Sequence, residues 1–479
     1  MSIPTRVLLL EKEHTSFENE LCFKGESSSD ESGGQTSITP ISSKTTSTTE
    51  DISKQHERSS DLTYSSRWAR ESLPDFAMPE GKMPKEVAYR LIRDQMNLDG
   101  HPSLNLATFA TTYMEDEAEK LMVESLPKNF VDLKAYPRTA DIERKCVNMV
   151  AELYHAPMNT GEPAVGTSTL GSSEAIMLST LAMKNRWMKR QRLAGKDCLR
   201  PNIIMSSAVQ VCWQKAARYF EVEIRYVYCT EDRYVLDPDT AISLVDENTV
   251  GICCILGTTY TGHYEDVKAI NDLLVKKGLD IPIHVDAASG GFVAPFMAPE
   301  LEWDFRLEKV ASINVSGHKY GLVYPGIGWA IWHQFIRLGR AGYREIMTNI
   351  SNSATFLANG LKGLGFIIMS ESGVNGVPLV AFRLNPKLGY QFDEFGLAHQ
   401  LRQCNWLVPA YSMAAHVQDV KLLRIVCRCD FSRSLCDTLL KDIRCALETL
   451  KKMDRETLRL YAELERLRLV AGANGDILA

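Results

Sequence analysis

From residue 141 onward the chain alternates helix-like stretches with short apolar runs. The spans 142–154, 173–193, 209–220, 238–245 and 267–277 read as helices, and 203–205, 222–228, 250–256, 281–287 and 312–315 as strands. Buried strands separated by helices predict an α/β architecture: a mostly parallel sheet covered on both faces. Ligands in such sheets bind beyond the carboxyl ends of the strands. Thr259, Asp286 and Ser316 each follow a strand in that sense.

Three segments concentrate chemistry at those ends. Gly166-Thr167-Ser168-Thr169-Leu170-Gly171-Ser172-Ser173 opens a helix, and backbone N–H groups at a helix start, with added hydroxyls, bind a phosphate dianion. Ile283-His284-Val285-Asp286-Ala287-Ala288-Ser289-Gly290-Gly291 is an apolar strand with a carboxylate at its end. Ser312-Ile313-Asn314-Val315-Ser316-Gly317-His318-Lys319 is a strand that breaks at Ser316-Gly317, with a lysine just past the break. Taken singly, these are an N-cap, a turn-forming aspartate and a surface lysine. In this order they form the set that pyridoxal 5'-phosphate requires. The loop takes the phosphate, Asp286 keeps the ring nitrogen protonated and Lys319 forms the aldimine.

The segments resemble the glutamate decarboxylases, pyridoxal-phosphate enzymes of the aspartate-aminotransferase fold (fold type I). The resemblance runs from about Trp68 to about Leu450. It takes in Leu106-Ala107-Thr108-Phe109, Cys146-Val147-Asn148-Met149-Val150-Ala151, Val209-Gln210-Val211-Cys212-Trp213, Thr259-Tyr260-Thr261-Gly262 and Arg424-Ile425-Val426-Cys427-Arg428. It implies α-decarboxylation of L-glutamate to 4-aminobutanoate and CO2, in a homodimer or higher oligomer. By the same resemblance Ser316 and His318 add to the phosphate site, Gln210 lies over the ring face, and Thr259 and Ala288 complete the ring's surroundings. Arg424 anchors a carboxylate, and its guanidinium can do so bidentately. Thr108, Phe109 and Asp132 are candidates for the pocket that receives the side-chain carboxylate. Either Lys319 or His318 delivers the proton to Cα.

The implied organisation is an N-terminal tail (1–65), an arm (66–140), a large cofactor domain (141–333) and a smaller C-terminal α+β domain (334–479). The tail is rich in Ser, Thr, Glu and Gly and is expected to be disordered. The span 84–96 reads as a helix, 104–111 as an extended stretch, and 377–384 and 421–428 as small-domain strands. The span 453–470 reads as a charged helix in solvent. It has no Trp and mixes Glu with Arg, so the calmodulin-binding tail of the plant members is not expected.

A formal net charge of -6 over 479 residues argues against nucleic acid as the partner. Twelve scattered cysteines, Cys253 and Cys254 adjacent within a strand, suit buried thiols in a reducing compartment. Cys427 and Cys429 lack the spacing of a zinc site, so no metal is expected. The apolar run at 7–10 is too short for a signal-peptide core, and Glu11, Glu13, Glu18 and Glu20 do not suit a mitochondrial presequence. No run is long enough to span a bilayer. A cytoplasmic enzyme without membrane contact is expected.

The chain departs from the family after Gly328-Trp329-Ala330-Ile331-Trp332. This apolar run reads as a strand, yet His333 leads directly into a helix beginning at Gln334, with almost no connection. The family carries a few dozen further residues here, including a serine that reaches the neighbouring subunit's cofactor phosphate and a flap near the site. Either a splice event or a gene-model error removed them, or this chain tolerates the loss. Activity on glutamate therefore stands beside two alternatives: an inactive or weakly active homologue, and a decarboxylase of another acidic amino acid such as aspartate or cysteine sulfinate.

Overall fold

The computed structural model describes residues 73–476, apart from 75, 130, 131, 159–161, 326, 327 and 372. The expected disordered tail lies outside the described residues. The chain divides into two compact units, one of residues 11–100 and the other chiefly of residues 101–479. In the first, the predicted helix is α1 (Lys85–Met96). All else below belongs to the second.

After α2 (Asp116–Ser125) and α3 (Pro137–Leu153) comes the 22-residue α4 (Ser172–Leu193). The expected alternation then follows: β1 (Asn202–Ser206), α5 (Val211–Tyr219), β2 (Glu223–Val227), α6 (Pro238–Ser243), β3 (Thr249–Ile255), α7 (Val267–Lys276) and β4 (Ile283–Asp286). A short α8 (Ala294–Met297) precedes β5 (Val310–Asn314). The five strands form one parallel sheet in the order β2-β1-β3-β4-β5. Side chains alternate between its faces. Ile203, Met205 and Cys253 pack with Ile176, Trp187 and Trp213 of α4 and α5. Ile204, Cys254 and Val285 pack with Ile242, Val267 and Ile270 of α6 and α7. Cys253 and Cys254 thus point to opposite faces, each fully buried, as the sequence led one to expect.

A second, antiparallel sheet, in the order β6-β7-β9-β8, is built from β6 (Ile367–Ile368), β7 (Leu379–Arg383), β8 (Ala410–Ser412) and β9 (Lys421–Val426). It packs with α9 (Gly328–Gly363), α10 (Glu394–Arg402) and α11 (Arg433–Leu450). The buried stripe Met347, Ile350, Ala354, Leu357 and Leu361 follows helical spacing along α9.

Two expectations need correction. The run 328–332 is not a strand: it is the first part of α9, which runs on with one break at Gly339 (φ 55°, ψ -173°). A strand cannot pass into a helix without connecting residues, so the run takes the conformation of the helix that follows it. The expected domain boundary at 333/334 accordingly falls inside α9, and among the described strands β5 is the sheet's last. The charged C-terminal helix, α12 (Arg455–Asp476), is also not left in solvent. Leu458, Ala462 and Glu465 form a stripe that is buried, and Glu465 is 0% exposed. Arg402 on α10 holds it, its Nε donating to both carboxylate oxygens at 2.9 Å.

Glu465→Ala leaves the partly exposed Arg402 without its buried partner, and a lost hydrogen bond between charged groups is worth roughly 1.5–3 kcal/mol. Urea unfolding of the variant is expected to show that loss. An unchanged midpoint would mean that α12 contributes nothing to the small domain.

Candidate functional site

The site forms where β4 and β5 end. Asp286 is the last residue of β4 and is 5% exposed. A buried carboxylate needs donors, and three elements supply them. Trp213 Nε1 of α5 donates to Oδ2 at 2.9 Å, Asn314 Nδ2 of β5 to Oδ1 at 3.0 Å, and Ala288 N to Oδ1 at 3.2 Å. Asn314 is itself oriented. Its Oδ1 accepts from His284 Nε2 at 2.7 Å, and His284 Nδ1 then accepts from Ser312 Oγ at 2.7 Å. Burial holds His284 below its usual pKa, which suits this neutral tautomer.

Beyond β5 the chain turns through Ser316 and Gly317 to Lys319. Its Nζ donates to Ser289 Oγ at 3.1 Å and lies 5.3 Å from the centre of the Phe109 ring. Burial pushes the lysine below its ordinary pKa; Asp286 and Cys212 oppose this shift and Arg424 adds to it. His318 is also pushed down, by burial and then by Lys319. Cys212 is pushed up to about 12 by burial, with Asp286 adding to it. The arm fastens the loop: Thr111 N donates to His318 O, and Thr111 Oγ1 to Lys319 O, both at 2.7 Å. Arg428 holds the arm in turn, its Nη1 donating to Asn105 O at 2.8 Å and Thr108 O at 3.2 Å.

Arg424, on β9, is 4% exposed, and its Cζ lies 4.8 Å from the centre of the Phe109 ring. Three of its five donors are committed. Nη1 reaches Thr259 O at 2.6 Å, and Nη2 reaches Ala107 O at 2.6 Å and Tyr411 Oη at 3.2 Å. Nε is buried and unpartnered. A ligand thus meets one free Nη1 proton and the Nε proton. A carboxylate that takes both Nη1 and Nη2, as expected for a bidentate anchor, must first displace a partner of Nη2.

The structure brings Asp286, Ala288, Lys319, Thr259, Phe109 and Arg424 into one constellation. Ser172 and Ser173 open α4, half-buried and exposed respectively, and no side chain caps that helix start at Gly171. Gln210 is exposed and caps α5, accepting from Cys212 N at 3.3 Å. Thr108 Oγ1 accepts from Ala110 N at 3.0 Å. Asp132 is exposed and accepts from Ala135 N in a local turn at 3.0 Å, outside this constellation. Sequence reasoning missed Trp213, Asn314, His284, Ser312, Ser289, Thr111 and Tyr411 as contributors. The polar pairs were visible at period two: His284 and Asp286 on β4 stand in register with Ser312 and Asn314 on β5.

These residues fit pyridoxal 5'-phosphate. Ser316 Oγ is buried without a partner, and the start of α4 presents uncapped donors, both suited to a phosphate. The desolvated amine suits an aldehyde. Asp286 Oδ2, with one partner against two on Oδ1, retains acceptor capacity.

Comparison with known proteins agrees. Residues 79–335 match the pyridoxal-dependent decarboxylase conserved domain. The glutamate decarboxylase of Petunia hybrida is 47% identical, over 86% of this chain and 90% of its own. That alignment spans 458 residues, whereas 86% of this 479-residue chain is about 412, leaving about 46 aligned positions without a counterpart here. A solved Lactobacillus brevis glutamate decarboxylase superposes with a TM-score of 0.79 at 37% identity, covering 82% of this chain and 99% of that one. A Burkholderia pseudomallei sphingosine-1-phosphate lyase, with a TM-score of 0.66 at 19% identity over 84% of this chain and 98% of that one, shares the fold alone. The chain belongs to the glutamate decarboxylase family of pyridoxal-dependent decarboxylases.

Proposed function

We propose that this chain decarboxylates L-glutamate at Cα, giving 4-aminobutanoate and CO2, with pyridoxal 5'-phosphate as cofactor. The observation that carries the reading is a desolvated Lys319 amine, held by Ser289, whose proton affinity a triply held Asp286 raises and a buried Arg424 lowers. Ser172, Ser173, Ser316 and His318 would hold the phosphate. Asp286 would face the ring nitrogen, with Gln210, Thr259 and Ala288 around the ring. When bound, the cofactor supplies an electron sink for the pair left at Cα.

The protein's own groups do the rest. Lys319 offers an amine whose protonation is disfavoured by burial. Arg424 offers a carboxylate its Nε proton or its remaining Nη1 proton, which do not share an edge of the guanidinium. Phe109, packed against both side chains, excludes water from the same side. Lys319 or His318 would return the proton to Cα, and burial favours the neutral form of each at rest. Thr108 and Phe109 line the substrate end. Asp132 is exposed in the protomer, so its place in the pocket requires a second subunit. Exposed apolar side chains on the arm and the helices beside it, among them Tyr113, Leu121, Val123 and Met149, support a homodimer. Among the described residues no helix is long and apolar enough to cross a membrane, and the eleven described cysteines are free thiols. A cytoplasmic location follows from this reading.

One observation favours a second reading, a homologue that takes cofactor without turnover. The run 328–332 is helical, and Trp332 Nε1, His333 Nδ1 and Gln334 Oε1 beside it are buried without partners. CO2 release from labelled glutamate decides between the two, with borohydride fixation of the cofactor on Lys319 measured alongside. Fixation with release is expected, and Lys319→Ala abolishes both. Fixation without release would establish the second reading, and release from aspartate or cysteine sulfinate alone would change the substrate.

Arg424→Gln is expected to lower kcat/KM about 10–100-fold, the loss of charged hydrogen bonds worth roughly 1.5–3 kcal/mol. Asp286→Asn is expected to cost far more in kcat than in cofactor affinity. Equal activity would refute its role.

The same variants set the pH dependence of Lys319. Its lowered pKa places the midpoint of cofactor capture by the apo-protein below that of an ordinary lysine. Asp286 raises this pKa and Arg424 lowers it. Asp286→Asn therefore moves the midpoint down and Arg424→Gln moves it up, and opposite movements would contradict the electrostatic assignment.

A further inference from the structure

The turn that carries Lys319 folds tightly on itself. Lys319 N donates to Ser316 O at 3.3 Å, Leu322 N to Lys319 O at 3.3 Å, and Val323 N to Gly317 O at 3.4 Å. Gly321 lies so close to Gly317 that a Cβ there would sit 2.5 Å from the Gly317 carbonyl oxygen. Leu322 adopts φ 63°, a left-handed conformation rare for a residue with a bulky side chain. Such a conformation persists only where its surroundings over-determine it.

Two side chains of α9 supply that constraint. Tyr343 Oη donates to Gly321 O at 2.9 Å, and Gln334 Nε2 donates to Leu322 O at 3.1 Å. Both are buried, at 2% and 4% exposure. The Tyr343 ring is fixed by stacking on Phe296 and Phe292, with centroids 5.3 and 5.9 Å away. Gln334 Oε1 has no partner, so the amide is buried for the one bond that its nitrogen makes. Ile331, one turn before Gln334, closes the far side: a Cβ on Gly317 would fall 2.8 Å from its Cδ1.

We propose that Gln334 and Tyr343 are positioning residues for Lys319. By holding the carbonyls of Gly321 and Leu322 they keep the left-handed turn closed, and the closed turn aims Nζ at Ser289 and keeps it from solvent. Neither side chain touches the reacting atoms. The proposal rests on the reading of Lys319 as the residue that takes the cofactor.

The test uses Tyr343→Phe and Gln334→Leu in the full chain. Tyr343→Phe removes a single oxygen and keeps the stacked ring. Three readouts are taken: backbone hydrogen exchange across residues 317–323 in the apo-protein, pyridoxal phosphate capture as a function of pH, and kcat and KM. In both variants the Leu322 and Val323 amides are expected to exchange at least tenfold faster. The capture midpoint is expected to rise toward that of an ordinary lysine, and kcat to fall about tenfold with KM within twofold. Parent-like exchange and a parent-like capture profile in both variants, with only a lower melting temperature, would overturn the proposal and leave a packing role. A parent chain that captures no cofactor would instead defeat the reading of Lys319. The exchange data would then still decide whether α9 braces the turn.

Discussion

Asp286 is a carboxylate at the end of a buried strand, and much of the site follows from the donors it needs there. Without hydrogen bonds its burial would cost several kcal/mol. Its donors come from α5, from β5 and from its own turn, so the position of each element becomes a condition for the others. Asn314 can donate only if its amide is turned the right way, and His284 with Ser312 fixes that orientation. A polar track thus runs between two strands that are otherwise apolar. A parallel sheet tolerates it because the two strands are in register, placing donor opposite acceptor.

Lys319 stands in the turn beyond the next strand, its Nζ held by Ser289, and the rest of the chain converges on the lysine. The arm gives Thr111 to its backbone and Phe109 to its side chain. The small-domain sheet gives Arg424, which lies against the same ring. One lysine, one arginine and one aspartate, largely removed from water, set the amine's proton affinity by opposing effects. Burial and Arg424 disfavour its charge, and Asp286 favours it. Losing either charged neighbour would shift that balance.

The sheet was legible because its signal is local. Period-two and period-3.6 patterns place the five strands and the helices between them up to α7 within a few residues, though not the short α8, and Asp286 and Lys319 stand where strand ends should carry chemistry. What escaped depends on partners distant in sequence. The mixed charges of α12 look like a solvated face until Arg402, on another helix, is seen to meet Glu465. Trp213 lay inside a segment marked as characteristic, but its donor role is visible only once α5 packs over β4. The run at 328–332 failed for another reason. Trp329-Ala330-Ile331-Trp332 is apolar throughout, so it carries no period to separate strand from helix.

The helical state of that run has consequences of its own. Trp332 Nε1, His333 Nδ1 and Gln334 Oε1 are three unpartnered polar atoms on successive residues, each worth a penalty of roughly 1–3 kcal/mol. Beyond Gly339 the same helix is anchored by its stripe from Met347 to Leu361, fully within the core. The break at Gly339 therefore divides α9 into a strained first part and a secure second part. The two side chains that close the lysine turn lie on either side of it, Gln334 before and Tyr343 after. Tyr343 alone has the support of the anchored part, so the hold on Gly321 is the firmer of the two. The hold on Leu322 depends on the strained first part. The cost of that strain thus falls on the closure of the turn behind Lys319, whereas Asp286 and its donors rest on β4, β5 and α5 and are untouched by it.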